Sequence, residues 1–236
     1  MQNLMSRMRA AMEKYNMIED GDRIAVGVSG GKDSLALLYA LAEMRRFYPK
    51  KYDVTAITAD MSFFGNPTDF SQITSLCESL GVRHIIKETE LYHIIFETRK
   101  EKNPCSLCAR MRRGILHDMA KETGCNKLAL GHHTDDAAET FMMNLLSGGR
   151  IESFRPVTYL SRKDITMIRP MIFATEKEVL SAAKKMSLPT VESLCPMDKT
   201  SNRNEMKELL ADLEKKYPSL KEKIIGGLQK ADLSGW

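Results

Sequence analysis

The stretch Arg23-Ile24-Ala25-Val26-Gly27-Val28-Ser29-Gly30-Gly31-Lys32-Asp33-Ser34-Leu35-Ala36-Leu37-Leu38-Tyr39-Ala40-Leu41 narrows the possible folds more than any other part of the chain. A short β-rich run gives way to two glycines and then to a helical apolar pattern, which predicts strand, glycine turn, helix. In an open α/β sheet such a turn is an anion site, at the carboxyl end of a strand and the amino end of a helix. Backbone N–H groups freed by Gly30 and Gly31 can converge on phosphate oxygens, and the helix dipole adds partial positive charge. Lys32 supplies a full charge, and Ser29 and Ser34 offer hydroxyls. The spacing matches neither G-x-x-x-x-G-K-[ST] nor G-x-G-x-x-G. Asp33 is odd in a plain anion loop and makes sense where a metal ion bridges it to phosphate. A simple N-cap turn of small residues is the plainer reading, but adjacent Lys and Asp add nothing to a cap.

The same alternation continues. Strands are expected at Asp53–Asp60, Val82–Lys87, Lys127–Leu130 and Ile165–Arg169, separated by helices near Asp69–Leu80, Leu107–Thr123 and from His133 to about Leu146. Strands that alternate with helices imply an α/β fold, a doubly wound parallel sheet of about five strands. An N-terminal helix over Gln2–Met17 carries Leu4, Met5, Met8, Ala11, Met12 and Tyr15 on one side, and Thr98–Pro104 reads as an exposed loop. After Thr175 the strands stop and Glu176–Met186, Asn202–Lys216 and Ser219–Lys230 read as charged amphipathic helices. The expected division is 1–20, 21–174 and 175–236. At 236 residues with 43% hydrophobic and 28% charged residues, the composition is that of an ordinary soluble domain. No window of about 18 apolar residues suits a bilayer, and Met1–Asp20 lacks the apolar core of a secretory signal. A cytoplasmic protein with no membrane partner is expected. The net charge of +4 permits nucleic-acid binding without arguing for it.

Five cysteines are an odd count that favours thiol, metal or cluster chemistry over a disulfide framework. Cys105 and Cys108 form C-x-x-C in a loop before a helix, while Cys77 and Cys125 read as small packing residues. Cys195, before Pro196, is the third candidate ligand. Three thiolates without an obvious fourth favour an iron–sulfur cluster with one open iron over a closed zinc site, with a zinc knuckle completed by a His as the other reading. Gly131-His132-His133-Thr134-Asp135-Asp136 ends the fourth strand and faces the same crevice as the glycine loop. Carboxylates there can hold Mg²⁺ against phosphates, and His133 can stabilise charge on a departing phosphate. Asp136 is favoured for the site, with Asp135 as a helix N-terminal acid. Asp60, ending the second strand, is either a nucleotide-site residue or a strand-end turn residue. His84, His93 and His117 read as structural or surface residues. Arg110, Arg112, Arg113, Arg150, Arg155, Arg162 and Lys163 could meet RNA phosphates or form a solvated basic face.

Ser29-Gly30-Gly31-Lys32-Asp33-Ser34 after an apolar strand resembles the PP-loop of the Rossmann-like ATP pyrophosphatases. Tyr15-Asn16-Met17-Ile18-Glu19-Asp20-Gly21-Asp22-Arg23, Cys105-Ser106-Leu107-Cys108-Ala109-Arg110-Met111-Arg112-Arg113-Gly114-Ile115-Leu116 and Leu130-Gly131-His132-His133-Thr134-Asp135-Asp136 narrow the likeness. Together they resemble the tRNA 2-thiocytidine synthetases (TtcA), from about Tyr15 to Leu228. The resemblance implies ATP-dependent replacement of a cytidine oxygen by sulfur in a tRNA anticodon loop. It implies a 4Fe-4S cluster on Cys105, Cys108 and Cys195, whose unligated iron carries the transferred sulfur. Relatives can carry a second C-x-x-C in the C-terminal region, and here Glu192 takes the first of those two positions. Ser29, Gly30, Gly31, Lys32, Asp33, Ser34, Asp60, Gly131 and Asp136 would hold ATP and Mg²⁺, with Lys32, Asp33, His133 and Asp136 catalytic. The implied partners are tRNA, ATP and a sulfide donor such as a cysteine desulfurase system, and the resemblance also admits a homodimer. The alternatives are a PP-loop thiolase for another tRNA base, of the 2-thiouridine type, and a zinc-stabilised, non-catalytic nucleotide- or RNA-binding module.

Overall fold

A computed structural model describes residues 1–101, 104–197, 202–231 and 233–236. Lys102 and Asn103, in the expected Thr98–Pro104 loop, lie outside the described residues. Helix α1 (Gln2–Lys14) precedes β1 (Asp22–Gly27), α2 (Lys32–Met44), β2 (Tyr52–Asp60), α3 (Ser71–Ser79) and β3 (Arg83–Glu88). Then come α4 (Pro104–Glu122), β4 (Lys127–Ala129), α5 (Thr134–Gly148), β5 (Val157–Leu160) and β6 (Ile165–Ile168). Three helices follow, α6 (Glu176–Lys185), α7 (Asn202–Lys216) and α8 (Leu220–Lys230).

The fold is α/β, with one sheet in the order β3-β2-β1-β4-β6-β5. All neighbours are parallel except β5 and β6, which form an antiparallel pair from Val157↔Ile168 to Leu160↔Ile165. The sheet therefore has six strands rather than about five. The extra strand is four residues at the edge, preceded by Pro156 and too short to show a period of its own.

Strand periodicity divides the apolar side chains between two cores. Ile24, Val26, Val54, Ala56, Ala129 and Ile168 face α1, α2, α3 and α6. Ala25, Ile57, Leu128, Ile165 and Met167 face the opposite way, onto Met119 and Ala120 of α4. The amphipathic C-terminal helices are part of the packing: Val179, Ala182, Ile225 and Leu228 join the first core. At the amino end of the sheet, Asp22 and Lys127 form a buried ion pair of 2.7 Å. Asp22 also accepts from the Glu19 N–H and the Asn126 amide, and Lys127 donates to the Met17 carbonyl. Among the described residues, no helix is long and apolar enough to cross a membrane.

The chain runs β1 to β2 to β3 in one direction, then returns to place β4 on the other side of β1. The loops after β1 and β4 consequently leave adjacent strand ends, the place where α/β sheets form a ligand-binding crevice.

Candidate active site

The glycine loop sits in that crevice. Gly30 has φ +85°, a left-handed conformation, and Gly31 caps α2. Ser34 Oγ donates to the Gly31 carbonyl (2.9 Å) and accepts from the Ser29 N–H (3.1 Å), closing the loop on the first turn of the helix. The β4 motif is pressed against it: a Cβ on Gly131 would stand 3.1 Å from the Asp33 carbonyl carbon and oxygen. Any side chain there would push the loop backbone away by a few tenths of an ångström.

Lys32 Nζ bonds Asp33 (2.9 Å) and reaches Glu176 at the start of α6 (3.3 Å). Burial alone would lower the lysine, but Asp33 and Glu176 raise it, so the ammonium is held charged. Glu176 is held down to about 2: burial opposes ionisation, and Lys207 and Lys32 overcome it. His133 is buried between three carboxylates. Its Nε2 stands 3.7 Å from Asp33, and its Nδ1 is 3.3 Å from Asp136 and 3.6 Å from Asp135. Among the described residues that Nδ1 makes no hydrogen bond. Asp136 accepts from the His133 N–H (2.9 Å), a cap on α5, and its other oxygen meets Arg203 of α7 (3.1 Å). Asp135 instead accepts from the Glu176 N–H (2.6 Å) and Lys221 of α8 (2.8 Å), tying three helices together. The two adjacent aspartates thus do different work.

Asp60 is not drawn into this group. Its carboxylate is buried and accepts from the Ser62 N–H, the Thr68 N–H and the Thr68 hydroxyl at 2.8–3.1 Å, so it organises the loop after β2. His84 is held between the hydroxyls of Thr58 and Thr74, a structural role. His132 is half-buried, and its imidazole is held well below the usual range by loss of solvent and then by Arg169, Arg203, His133 and Arg113. Its neutral ring accepts from Arg169 Nε at 3.2 Å. Arg169 is itself pushed down to about 10, by burial and then by Arg113. A concentration of cations therefore lies at the carboxyl end of β4 and β6.

The cysteine-bearing segments reach the same end of the sheet. Cys105 and Cys108 open α4, and the chain carrying Cys195 leaves directly from the glycine loop, where the Val191 N–H donates to the Gly30 carbonyl (3.0 Å). Four residues of chain span at most about 14 Å. Burial pushes the Cys108 thiol up, Arg112 opposes it, and the Cys195 and Cys105 sulfurs push it further. Cys105 and Cys108 share the first turn of α4, with Arg112 one turn further on, and Cys195 is four residue steps from the hydrogen bond to the glycine loop. Among the described residues no three His, Cys, Asp or Glu side chains close on a single ion. A cubane spreads its thiolates over separate irons, so this donor set fits a 4Fe-4S cluster. Cys77 and Cys125 are buried in the cores.

The PP-loop domain family matches residues 2–213. The tRNA-cytidine(32) 2-sulfurtransferase of Geobacter sulfurreducens is 40% identical over 221 residues, covering 92% of this chain and 85% of that protein. The chain belongs to the tRNA-cytidine(32) 2-sulfurtransferase family. A Dechloromonas aromatica member is 37% identical over 96% of this chain and 79% of its own length. The U34-tRNA thiolase NcsA from Methanococcus maripaludis, solved with its [4Fe-4S] cluster, superposes with a TM-score of 0.78 at 28% identity, covering 96% of this chain and 77% of that one. The chain is thus an enzyme of the sulfurtransferase class, as its motifs imply.

The partners that sequence reading missed are Glu176, Arg203, Glu139 and Arg169. Glu139 is buried, with Arg203 Nε 3.7 Å away, and its carboxyl is pushed up to about 7 by burial and by Asp136. No spacing signal links Arg203 or Glu176 to the glycine loop. Only Thr175-Glu176-Lys177-Glu178 had a local signature, and Thr175 and Glu178 do form a capping box.

Proposed function

We propose that the chain is an ATP-dependent tRNA sulfurtransferase that converts an anticodon-loop cytidine to 2-thiocytidine. The observation that supports the reading is the hydrogen bond from the Val191 N–H to the Gly30 carbonyl, which joins the segment leading to Cys195 to the glycine loop. Ser29, Gly30, Gly31 and Ser34 would cradle the ATP phosphates, with Lys32 neutralising charge on the departing pyrophosphate. Asp33 and Asp136 would hold Mg²⁺, and His133, whose Nδ1 makes no hydrogen bond among the described residues, would donate to the phosphates. Asp60 serves the nucleotide indirectly, by fixing the loop after β2. The cytidine O2 attacks the α-phosphorus and the bond to the bridging oxygen breaks, releasing pyrophosphate. Sulfide then adds at C2 and AMP leaves with the former carbonyl oxygen. Cys105, Cys108 and Cys195 would hold the 4Fe-4S cluster, which when bound supplies an open iron able to carry sulfide. Arg112 stabilises the thiolate form of Cys108. The sulfide comes from a donor such as a cysteine desulfurase system.

Nucleoside mass spectrometry of bulk tRNA from a strain lacking the gene tests the reading. 2-Thiocytidine should vanish and return with a plasmid copy. Loss of a 2-thiouridine instead would move the substrate, and unchanged thionucleosides would overturn the assignment. In purified enzyme, Cys105→Ala should lose iron, acid-labile sulfide and sulfur transfer while RNA-dependent pyrophosphate release persists.

A further inference from the structure

The loop after β2 carries a feature that ATP and sulfur chemistry leave unused. Ser62 (φ +47°) and Phe64 (φ +56°) both adopt the left-handed conformation, uncommon for any side chain and an outlier for a bulky one. The three hydrogen bonds to Asp60 hold both ends of this turn in place. The result is a phenylalanine pushed outward, 58% exposed. Strain of this kind persists where the surrounding structure imposes it, and it concentrates at binding sites.

Phe64 does not stand alone. Its ring lies 4.8 Å from Tyr92, which stacks on Phe96 at 5.2 Å with an interplanar angle of 27°. Phe63 meets the edge of Tyr92 at 5.8 Å. Tyr92 leads into a π-helical turn, His93–Thr98, a geometry often found at functional sites. Phe63 and Phe96 pack on the buried cluster of Met61, Leu91 and Ile95, and so does Cys108 with Leu107 and Met111 of α4. The aromatic group is therefore continuous with the start of the cysteine-bearing helix. Exposed cations flank it in sequence and on that helix: Arg99 and Lys100 follow the π turn, and Arg110 and Arg113 lie on the exposed side of α4.

We propose that Phe64, backed by Tyr92 and Phe96, is a stacking platform for an unpaired nucleobase of the tRNA loop, seated beside the cytidine to be modified. This rests on the tRNA reading above. Sequence-tolerant recognition of single-stranded RNA combines base stacking on aromatic rings with cations for the backbone, and both are present here. The exposure of Phe64 favours a base presented from solvent over the adenine of ATP, which must lie with its phosphates in the crevice.

The test is binding of an anticodon stem-loop carrying 2-aminopurine next to the target cytidine, with ATP affinity measured in parallel. Phe64→Ala and Phe64→Leu should each weaken stem-loop binding about tenfold and abolish quenching of the 2-aminopurine. Phe64→Trp should preserve both, and all three should bind ATP as the wild type does. A packing role would be served by leucine as well as by tryptophan, so equal binding by Phe64→Leu and Phe64→Trp overturns the platform. So does wild-type affinity in Phe64→Ala. A loss confined to ATP affinity would overturn it in favour of adenine stacking. Failure of the wild type to bind any stem-loop would overturn the tRNA reading, and the platform with it.

Discussion

Gly30 is constrained twice. Its φ of +85° suits only glycine, and a Cβ there would stand 3.1 Å from the Val191 Cβ. Gly30→Ala should therefore cost about 1–3 kcal/mol in a urea melt and eliminate RNA-dependent pyrophosphate release. Wild-type turnover in that variant would show that the loop does not hold phosphate in this geometry. Lys127 stands at the other end of the sheet, where removing its ammonium leaves Asp22 charged and buried. Lys127→Ala should lose about 3–5 kcal/mol of stability, with far less effect from an exposed pair such as Arg9–Glu13. Legibility at this scale followed chain locality. Ser29–Ser34 announced themselves as a contiguous pattern, whereas Asp135, expected as the helix N-terminal acid, bonds the Glu176 N–H and Lys221, and it is Asp136 that caps α5. Asp60 is an aspartate at a strand end in either role, and only its three loop donors distinguish them.

At the scale of elements, α7 is held over α5 by Arg203, which meets Asp136, Glu139 and Thr140. Two carboxylates near this contact titrate in opposite senses. Glu139 in the fold has a pKa of about 7 against an ordinary 4.5, so its protonated form is favoured by folding. Its contribution is complete below about pH 4.5 and is lost as pH rises through 7. Glu176 is held at about 2, so its contribution is present above about pH 4.5 and lost as pH falls towards 2. Glu139→Gln should flatten the fall in melting temperature between pH 5 and 8, and Glu176→Gln the fall below pH 4.5. Thermal melts across pH without nucleotide check both signs, and unchanged slopes would refute them. The long elements were readable because each spans several periods of its pattern. Val157–Leu160 was not, since four residues cannot show an alternation and its pairing with β6 is a tertiary event. The contacts of Arg203 were hidden for the same reason: they depend on how α7 lies across α5.

At the scale of the molecule, the two faces of the sheet have separate cores, and the chain's last helix closes the first of them. Ile225, Leu228 and Trp236 are buried with α1 residues in one cluster, and Gln229 bonds the Tyr15 hydroxyl. The family match ends at residue 213, before this helix begins. A chain ended at Tyr217 should lose about 5 kcal/mol of apolar burial, at about 1.5–3 kcal/mol for each large side chain. Its melting temperature should drop by about 10–20 °C, and an unchanged melt by circular dichroism would show that α8 contributes nothing. The tie between the Gly30 carbonyl and the Val191 N–H has a consequence for how this chain can vary. The four residue steps from Val191 to Cys195 act as a length standard. Each residue inserted there would let the thiol drift by up to about 3.6 Å while leaving the phosphate loop intact. Natural variants should therefore change side chains freely between these two positions but keep their number.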